Sequence, residues 1–409
     1  MRILYVIHQF FPEFASGTER VTINIAQTQQ RNGHSVAVLT CSVRDASFWS
    51  CEEDGLRHAV VEGVPVFAVP RELLGGMAEF GSDVNEHVVS VISRLLDRSS
   101  YDVAHVMHSM RMLEAIEAIR HRGIPYVMTL TDFFAICYRI NLIRADGRLC
   151  NGPANGQACR ENCIDISATP ARLDARVHRL SAIVSSAAEV VACSEFVAER
   201  FQEEFPNVTL RVLEHGVELQ RYHRRTRRAD KSLVFGYIGT ISKAKGIHVL
   251  IKAFKNAAVE NARMEIIGSS YSDDGLLAQL EKFRGPDIAL RAEVPYRDIP
   301  EALASFDVLC LPSLVPETFS LALHEGFAAG LPALVSDIGW PAIVVERASC
   351  GKAVPVGDIN AWSKAIVELC ADPSILEYWQ KQIPLQARVE EEAFFYDQLY
   401  RRAAFASRL

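Results

Sequence analysis

The chain has 409 residues, of which 49% are hydrophobic and 23% are charged, a composition typical of a soluble globular protein. This length exceeds one ordinary hydrophobic core, so two domains are expected. The formal net charge of -7 argues against a nucleic-acid-binding protein that uses a broad basic surface. No stretch reaches the roughly 18 apolar residues of a membrane span. We expect a cytoplasmic protein, with peripheral association at the inner membrane face as the alternative.

The first half of the chain alternates predicted strands and helices. Residues 2–7 indicate a strand rather than a signal peptide, because the apolar run stops at His8 and no small-residue cleavage site follows. Ser16 and Glu19 have the spacing of a capping box, and the helix after them is predicted to end near Gly33. Further strands are predicted at residues 34–40, 103–107, 126–130, 190–193 and 210–213, and helices at residues 85–96, 112–121, 171–186 and 195–204. This order predicts a parallel sheet of βαβ units.

The second half repeats this pattern after a change in composition. Residues 216–231 are polar and charged, and we predict a linker there, between an N-terminal domain at 1–215 and a C-terminal domain at 232–375. The predicted elements are strands at residues 233–238, 264–267, 308–311 and 332–336, helices at residues 247–258, 319–329 and 361–371, and a helical tail at 376–409. The predicted fold class is α/β, with two doubly wound Rossmann-like domains. Ligands are expected in the cleft between the domains, at the carboxyl ends of the strands.

Two carboxylates, Glu317 and Glu325, lie eight residues apart in an otherwise apolar segment after a predicted strand. If Glu317 opens the predicted helix, Glu325 lies about 12 Å farther along it, at ~1.5 Å per residue. Retaining glycosidases need carboxyl groups ~5–5.5 Å apart, so the spacing favours two contacts to one extended ligand, such as a nucleotide sugar. The backbone N–H groups of Phe319, Ser320 and Leu321 are then candidates for binding a phosphate. A helix cap plus one exposed glutamate is the alternative.

Two glycine-containing loops follow predicted strands. Residues 239–246 place Lys243 and Lys245 between a strand and a helix, which suits a diphosphate, although the Walker pattern is absent. Gly17, after the first strand, would let a ligand approach the backbone closely. The pattern G-x-G-x-x-G is absent there, so a dinucleotide cofactor is not indicated. For each loop taken alone, a solvated turn is the alternative.

Together these motifs resemble the family 4 glycosyltransferases of the GT-B fold, over nearly the whole chain. Glu317 and Glu325, which form an E-x7-E motif, carry most of the resemblance. The other matching positions are Gly17 with Glu19, Gly33 with His34, residues 102–105, 194–196 and 215–218, Gly239, Lys245 with Gly246, residues 330–332, and Gly357 with Asp358. The resemblance implies metal-independent transfer of a sugar from a nucleoside diphosphate donor with retention of anomeric configuration. The expected acceptor is a glycan or a lipid-linked molecule, in polysaccharide, glycolipid or glycoconjugate assembly.

The resemblance also implies roles for individual residues. Glu325 would hold the donor ribose, Glu317 would contact the transferred sugar, and Lys245 would contact the diphosphate. The backbone near Val294 would border the base. Gly17 would let the N-terminal loop close on the phosphate and the acceptor. The helical tail would cross back onto the first domain.

One departure from the family pattern affects the donor side. The family usually has arginine after the glycine that matches Gly239, where this chain has Thr240. A positive charge on the diphosphate is therefore lost, and Lys243 is the candidate replacement. Two alternatives stay open. One is a non-catalytic protein that binds sugar nucleotides or acts as a scaffold, which both this departure and the next one allow. The other is a nucleotide-sugar epimerase of the same architecture, whose additional acid/base residues are not identified in the sequence.

A second departure affects a contact to the donor sugar. The family often has histidine before the aspartate that matches Asp132, where this chain has Thr131. His105 and His108, which flank the end of a predicted strand, are the candidate replacements and are assigned with Thr131 to the acceptor side. Asp132 is assigned to the catalytic set, together with the lysine and the first glutamate described above.

Four cysteines, Cys137, Cys150, Cys159 and Cys163, cluster in a loop-like insertion at residues 137–163. Cys159 and Cys163 are separated by three residues, which is within structural zinc spacing. Four thiolates could close a tetrahedral zinc site and hold a long insertion that has no core of its own. Free thiols, a disulfide and an Fe–S cluster are the alternatives. The insertion follows Asp132, so we expect it to influence the choice of acceptor.

Overall fold

The computed structural model describes residues 1–165, 168–223, 232–270 and 275–406. The chain divides into two compact units, one made of Met1–Gly216 with Val389–Leu409 and the other of Val217–Arg388. The linker was predicted at residues 216–231, of which 224–231 lie outside the described residues. The tail was predicted to return to the first unit from residue 376, whereas the returning segment starts at Val389.

Each unit contains one sheet. The first holds β1 (Arg2–Ile7), β2 (Ser35–Ser42), β3 (Cys51–Glu53), β4 (Leu56–Val61), β5 (Val64–Pro70), β6 (Val103–Val106), β7 (Tyr126–Leu130), β8 (Glu189–Ala192) and β9 (Leu210–Val212). The second holds β10 (Leu233–Ile238), β11 (Ala262–Ile267), β12 (Ile288–Arg291), β13 (Val308–Leu311), β14 (Ala333–Ser336) and β15 (Gly351–Val354). This arrangement confirms the predicted α/β class with two Rossmann-like sheets.

The α-helices of the described chain connect these strands. They are α1 (Gly17–Arg31), α2 (Glu86–Ser99), α3 (Leu113–His121), α4 (Gln157–Asn162), α5 (Pro170–Ser186), α6 (Glu195–Glu204), α7 (Ile247–Ala257), α8 (Leu276–Glu281), α9 (Ile299–Ala304), α10 (Leu321–Ala328), α11 (Gly339–Ala348), α12 (Ile359–Ala371), α13 (Ser374–Gln382) and α14 (Val389–Ala406). Within the described ranges, no helix is long and apolar enough to cross a membrane.

The order of the strands places the expected ligand sites. The first sheet runs β3-β4-β5-β2-β1-β6-β7-β8-β9, and the second runs β12-β11-β10-β13-β14-β15. The strand order therefore reverses between β1 and β6 in the first sheet and between β10 and β13 in the second. Open α/β sheets bind ligands at such switch points, beyond the carboxyl ends of the strands. The loops that follow β1, β6, β10 and β13 are therefore the candidate ligand-binding loops.

The central strands form because their side chains are apolar on both faces. Five consecutive residues of β1, Ile3 to Ile7, are fully buried, as expected for a parallel strand covered by helices on both sides. The strand pairs with β2 through Ile3 and Val36 and with β6 through Ile3 and Val103. Its buried backbone holds the loop that begins at His8 in a defined place.

The C-terminal helix α14 completes the first unit through buried polar contacts. Glu392 accepts hydrogen bonds from His215 Nδ1 and from the backbone N–H of Gly216, both at 2.8 Å. Gln29 of α1 donates to the backbone carbonyl of Ala393 at 2.6 Å. These contacts attach the returning helix both to α1 and to the last residues before the boundary of the unit.

Candidate functional site

In the second unit, the loop that follows β10 is pressed against the segment that follows β13. Gly246 has a φ of +68°, and a Cβ atom at this position would overlap the carbonyl oxygen of Pro312, so glycine is required here. The backbone N–H of Leu314 donates to the carbonyl of Ala244 at 2.7 Å. This contact at the switch point places Lys245 beside the segment that contains Glu317.

Lys245 and Glu317 form an ion pair, with 3.0 Å between Nζ and Oε1. Ser313 also donates a hydrogen bond from its hydroxyl to Glu317 Oε1. Burial would raise the pKa of Glu317, but the charge of Lys245 and the hydrogen bonds from Ser313, Lys245 and Ser320 outweigh burial and lower this pKa. Glu317 is therefore ionised at neutral pH, and it holds the lysine ammonium group in a defined position.

The backbone of Glu317 is fixed by the segment that follows β14. Trp340 N–H donates to the carbonyl of Glu317 at 2.9 Å. Gly339 has a φ of +75°, and a Cβ atom there would lie 2.6 Å from the backbone nitrogen of Glu317. The close approach requires glycine at this position. Sequence reasoning did not single out Gly339, because its partner is distant along the chain.

The assumption that Glu317 opens the helix is wrong. Helix α10 begins at Leu321, and Ser320 before it has a φ of +71°. Glu317 lies instead in the preceding loop, so the spacing of ~12 Å calculated along a helix does not apply. The first N–H groups bonded within this turn are those of Leu323 and His324, both to Ser320 O. The N–H groups of Ser320 and Leu321 therefore have no intrahelical acceptor, as at any helix start.

Phe319, the other predicted contact in this segment, is buried and stacks on His324 with the ring centroids 3.9 Å apart. Its side chain thus helps to hold the beginning of α10. The hydrogen bond from His324 Nδ1 to Gln386 Oε1 at 2.6 Å anchors the same turn. Because aromatic stacking and this hydrogen bond hold the turn, its backbone is held in place before any ligand arrives.

Glu325 is buried within α10 and is 4% exposed. Tyr222 donates its hydroxyl hydrogen to Glu325 Oε1 at 3.0 Å. Burial raises the pKa of Tyr222, and the charge of Glu325 raises it further, so the phenol stays protonated and remains the donor. Sequence reasoning missed Tyr222, because it lies in the polar segment assigned to the linker. An aromatic residue within a charged run was the signal that could have indicated it.

The segment that carries Tyr222 is attached to the loop after β12. Arg221 donates to the backbone carbonyl of Tyr296, and its guanidinium lies 3.9 Å from the centroid of the Tyr296 ring. Val294, predicted to border the base, is half-buried against the core of the same unit. Val294, the predicted base contact, and Tyr222, the partner of Glu325, therefore lie on two segments that Arg221 links.

The remaining donor-side candidates lie in the loop after β10. Gly239 has a φ of +144°, and the carbonyl of Thr240 accepts a hydrogen bond from Tyr237 at 2.7 Å. Lys243 is exposed. Its charge, together with that of Lys252, adds to the effect of burial in lowering the pKa of His248. Lys243 therefore supplies positive charge near the start of α7.

In the first unit, Gly17 opens α1. A Cβ atom at Gly17 would have no neighbour within 4 Å, so the protein itself gives no steric reason for glycine here. Only half of the capping box predicted before this helix is formed, in which the carboxyl group of Glu19 accepts a hydrogen bond from the backbone N–H of Ser16. Ser16 donates its hydroxyl hydrogen to the carboxylate of Glu19 instead of accepting a backbone hydrogen bond. The open space beside Gly17 fits the close approach of a ligand.

His105 is not placed to contact an acceptor, which corrects its assignment to the acceptor side. The side chain is fully buried. Its Nδ1 lies 2.7 Å from the hydroxyl of Tyr400 and its Nε2 lies 2.7 Å from Thr129 Oγ1. Burial lowers the pKa of His105 to about 3. The residue is therefore a neutral core histidine that links β6 to β7 and α14.

His108 and Asp132 do come together, after β6 and β7. His108 Nε2 lies 2.5 Å from Asp132 Oδ2. The backbone N–H of Met110 donates to His108 Nδ1 at 3.1 Å, so the ring proton is on Nε2 and is donated to the aspartate. Asp132 Oδ1 accepts from the N–H of Phe134 at 2.8 Å. Thr131 donates its hydroxyl hydrogen to the carbonyl of Met107 at 3.0 Å.

The four cysteines of the insertion are free thiols. Burial, together with the neighbouring Cys137, Cys163 and Cys150, raises the pKa of Cys159 to about 12. The thiol of Cys159 therefore stays protonated at neutral pH. Across the described ranges, no group of three or more His, Cys, Asp or Glu side chains is placed to hold a metal ion. The cysteines as placed do not fit a zinc site, and zinc stays a prediction that metal analysis can test.

Two models of known families match the chain. The model described as "Glycosyltransferase Family 4" matches residues 15–221. The model described as "Glycosyl transferases group 1" matches residues 219–386. The matches divide the chain close to the boundary between Gly216 and Val217.

Individual proteins match more weakly. Spore coat protein SA of Bacillus subtilis is 26% identical over 193 residues, which cover 41% of this chain and 51% of that protein. The chain thus spans about half the length of that relative. Glycogen synthase of Mycobacterium tuberculosis is 26% identical over 404 residues, with 91% of this chain and 87% of the relative covered.

Solved structures show the same fold. Sucrose-phosphate synthase from Thermosynechococcus elongatus matches with a TM-score of 0.74 and 16% identity, over 99% of each chain. Anabaena HepE in complex with UDP matches with a TM-score of 0.69 and 15% identity, over 97% of this chain and 99% of that one. At this level of identity, the likeness concerns the fold alone.

Proposed function

The chain belongs to the family 4 glycosyltransferases, and we propose that it transfers a sugar from a nucleoside diphosphate sugar to an acceptor hydroxyl with retention of anomeric configuration. The observation that carries this proposal is the ion pair between Lys245 and Glu317. It lies at the switch point of the second sheet, where open α/β sheets bind phosphorylated ligands. In this ion pair, Lys245 can bind a diphosphate and Glu317 can accept hydrogen bonds from sugar hydroxyls.

The proposed reaction is a front-face displacement. The acceptor oxygen forms a bond to the anomeric carbon while the bond from that carbon to the diphosphate oxygen breaks, on the same face of the sugar. The leaving phosphate oxygen takes the proton of the acceptor hydroxyl, so no protein base is required. Lys245 and the N–H groups of Ser320 and Leu321 stabilise the negative charge that develops on the diphosphate. Glu317 accepts hydrogen bonds from the transferred sugar.

The donor nucleoside is assigned to the other end of the same unit. Glu325 accepts hydrogen bonds from the ribose hydroxyls, and the backbone near Val294 borders the base. Gly239, Thr240 and Lys243 line the diphosphate with Lys245. The Anabaena protein of the same fold was solved with UDP, which supports a nucleoside diphosphate as the ligand class.

The acceptor is assigned to the first unit. His108, Thr131 and Asp132 follow neighbouring strands, and the open space beside Gly17 lies at the start of α1. A glycan or lipid-linked acceptor, peripheral association with a membrane, and a place in polysaccharide, glycolipid or glycoconjugate assembly remain parts of this proposal. The Cys-rich insertion at residues 137–163 follows Asp132 and is proposed to influence which acceptor is used.

The proposal is tested in two steps. Thermal-shift measurements with UDP-, GDP-, dTDP- and ADP-sugars should identify one donor class that stabilises the protein by mass action. Turnover of that donor with a panel of glycoside acceptors should then release the nucleoside diphosphate, and NMR of the product should show the anomeric configuration of the donor sugar. Inverted configuration would contradict the retaining mechanism. Binding of a donor without turnover across a wide panel of acceptors would favour the non-catalytic alternative.

Tyr222 provides a specific prediction for donor binding. Tyr222→Phe removes the hydrogen bond to Glu325 while keeping the buried ring, and a hydrogen bond to a charged group contributes about 1.5–3 kcal/mol. Because Glu325 is then held less well, we expect the KM for the donor to rise about 10-fold or more with little change in kcat. Isothermal titration with the nucleoside diphosphate alone should show the same loss. An unchanged affinity would show that Tyr222 does not position Glu325.

A further inference from the structure

His8 occupies the switch point of the first sheet. It follows β1 directly, and β1 pairs with β6 through Val6 and Val106. His108 lies just beyond the end of β6, and the two imidazole rings stack with their centroids 3.8 Å apart and their planes at 29°. Since a ligand of this sheet is expected beyond the carboxyl ends of β1 and β6, His8 lies where that ligand would bind.

The hydrogen-bonding of His8 is incomplete. The residue is 9% exposed, and its buried Nδ1 atom has no hydrogen-bond partner within the part of the chain that the structure describes. His105 and His108, on the neighbouring strand and its following loop, use both of their ring nitrogens. Buried polar atoms are nearly always paired, so the unpartnered nitrogen of His8 points to a ligand that completes it.

The charge state of His8 determines which hydrogen-bonding groups the ligand must have. Burial lowers the pKa of His8 well below its ordinary value, and the charges of His108 and Arg111 lower it further. His8 is therefore a neutral imidazole at physiological pH. It can accept one hydrogen bond at its unprotonated nitrogen, but it does not hold the proton of a reacting hydroxyl. A hydroxyl group fits Nδ1 in either tautomer of the neutral ring, because it can donate a hydrogen bond to an unprotonated nitrogen or accept one from an N–H.

His8 is also held rigidly. It stacks on His108, whose ring is fixed by Asp132 on one nitrogen and by the backbone N–H of Met110 on the other. This chain of contacts fixes the plane of the His8 ring before a ligand binds. His108, assigned to the acceptor side, and Asp132, assigned to the catalytic set, thus both position the His8 ring.

We propose that His8 binds the acceptor through a hydrogen bond between its Nδ1 atom and one of the acceptor's hydroxyl groups, with His108 and Asp132 as positioning residues for the His8 ring. This assignment rests on the proposed function, because it takes the first unit as the acceptor-binding unit. The ligand class is a polyhydroxylated acceptor, such as a sugar residue. His8 orients the acceptor hydroxyls, and the proton of the attacking hydroxyl still leaves with the diphosphate.

Two substitutions separate a ligand contact from a structural role. His8→Phe keeps an aromatic ring to stack on His108 but removes the nitrogen, whereas His8→Asn keeps a polar atom near the position of Nδ1. Kinetics are measured with the donor selected by the thermal-shift screen and with methyl α-D-glucopyranoside, methyl α-D-mannopyranoside and methyl β-D-galactopyranoside as acceptors. We expect His8→Phe to lower kcat/KM for the acceptor about 10- to 100-fold. His8→Asn should stay within about fivefold of the wild type, a range consistent with one retained hydrogen bond.

The affinity for the donor and the rate of slow donor hydrolysis without acceptor should be the same in wild type, His8→Phe and His8→Asn. A general structural defect would change both. If His8→Phe does not fold, His8→Leu provides the same loss of the nitrogen. A wild-type kcat/KM for the acceptor in the folded variant would overturn the assignment of His8 alone. A wild-type protein that binds no nucleoside diphosphate sugar would instead overturn the proposed function, and the assignment of His8 with it.

Discussion

Lys245→Ala is expected to lower kcat about 10²- to 10³-fold, the usual effect of removing one group that stabilises transition-state charge. The substitution removes the cation proposed to stabilise the leaving diphosphate. It also leaves the carboxylate of Glu317 without its ion-pair partner. The loss should appear in kcat and in kcat/KM to a similar extent, because the charge develops in the transition state. Steady-state kinetics with the selected donor and acceptor measure it.

The matched control is Lys255→Ala. Lys255 pairs with Asp287 at 2.9 Å in the same unit, but its side chain is 40% exposed, and such surface pairs contribute about 0–1 kcal/mol. We expect this variant to keep wild-type kinetics. Full activity of both lysine variants, and of Glu317→Ala, would show that the ion pair is not part of the catalytic site.

The second large effect is expected at the buried pair of His215 and Glu392. Burial disfavours the charged imidazole of His215, but the charge of Glu392, with hydrogen bonds to Cys193 and Glu392, raises its pKa to about 10. His215→Ala leaves Glu392 as a buried carboxylate without its cation. Breaking such a pair costs about 3–5 kcal/mol, so we expect a loss of this size in the free energy of unfolding at pH 6.

The pH dependence of this loss has a definite sign. The pKa of His215 is higher in the folded protein than its ordinary value of 6.5. The stabilisation is therefore complete below about pH 6.5 and is lost as the pH rises towards about 10. The difference in the free energy of unfolding between wild type and His215→Ala should therefore become smaller from pH 6 to pH 10. Urea unfolding at pH 6, 8 and 10 measures it.

Hydrogen exchange in α14 should report the same change locally, because Glu392 is on this helix. Glu368→Ala, at an exposed pair with Lys352, serves as the control and should change stability by less than ~1 kcal/mol. A difference between wild type and His215→Ala that grows with pH would contradict the assignment of a charged His215.

The fold was predictable where an element is buried on both faces or carries clear end signals. The strands Tyr126–Leu130 and Val308–Leu311 and the helix Glu195–Glu204 were predicted with the bounds that the structure shows. The strands β3, β4 and β5, of which β4 runs antiparallel to both neighbours and departs from the predicted parallel sheet, and the edge strands β12 and β15 were not predicted. In β12 buried and exposed residues alternate over four positions, and such a short pattern is not distinguishable from a loop. Helix α11 was missed because it begins with glycine and contains Pro341, which are typical of turns.

The candidate site was predictable only in part, for the same kind of reason. Lys245 and Glu317 stood out because each is a charged residue in an apolar or glycine-containing stretch after a strand. The helix was predicted at residues 319–329, with Glu317 assumed to open it, whereas the backbone of Ser320 delays the start of α10 to Leu321. His105 was assigned to the acceptor side, but it is fully buried and contacts Tyr400 of the returning helix, a residue far from it in the chain.

Composition, apolar runs and motif spacing were thus sufficient for the fold class, the order of most elements and the segments that carry the chemistry. Apolar periodicity and turn residues determine local structure through interactions between residues that are close in the chain. The partners of individual side chains depend on strand order and on loop contacts. The pairing of Lys245 with Glu317, of Tyr222 with Glu325, and of His8 with His108 exists because distant segments meet at the switch points of the two sheets. No local pattern encodes such contacts, since each needs the packed sheet to bring its two residues together.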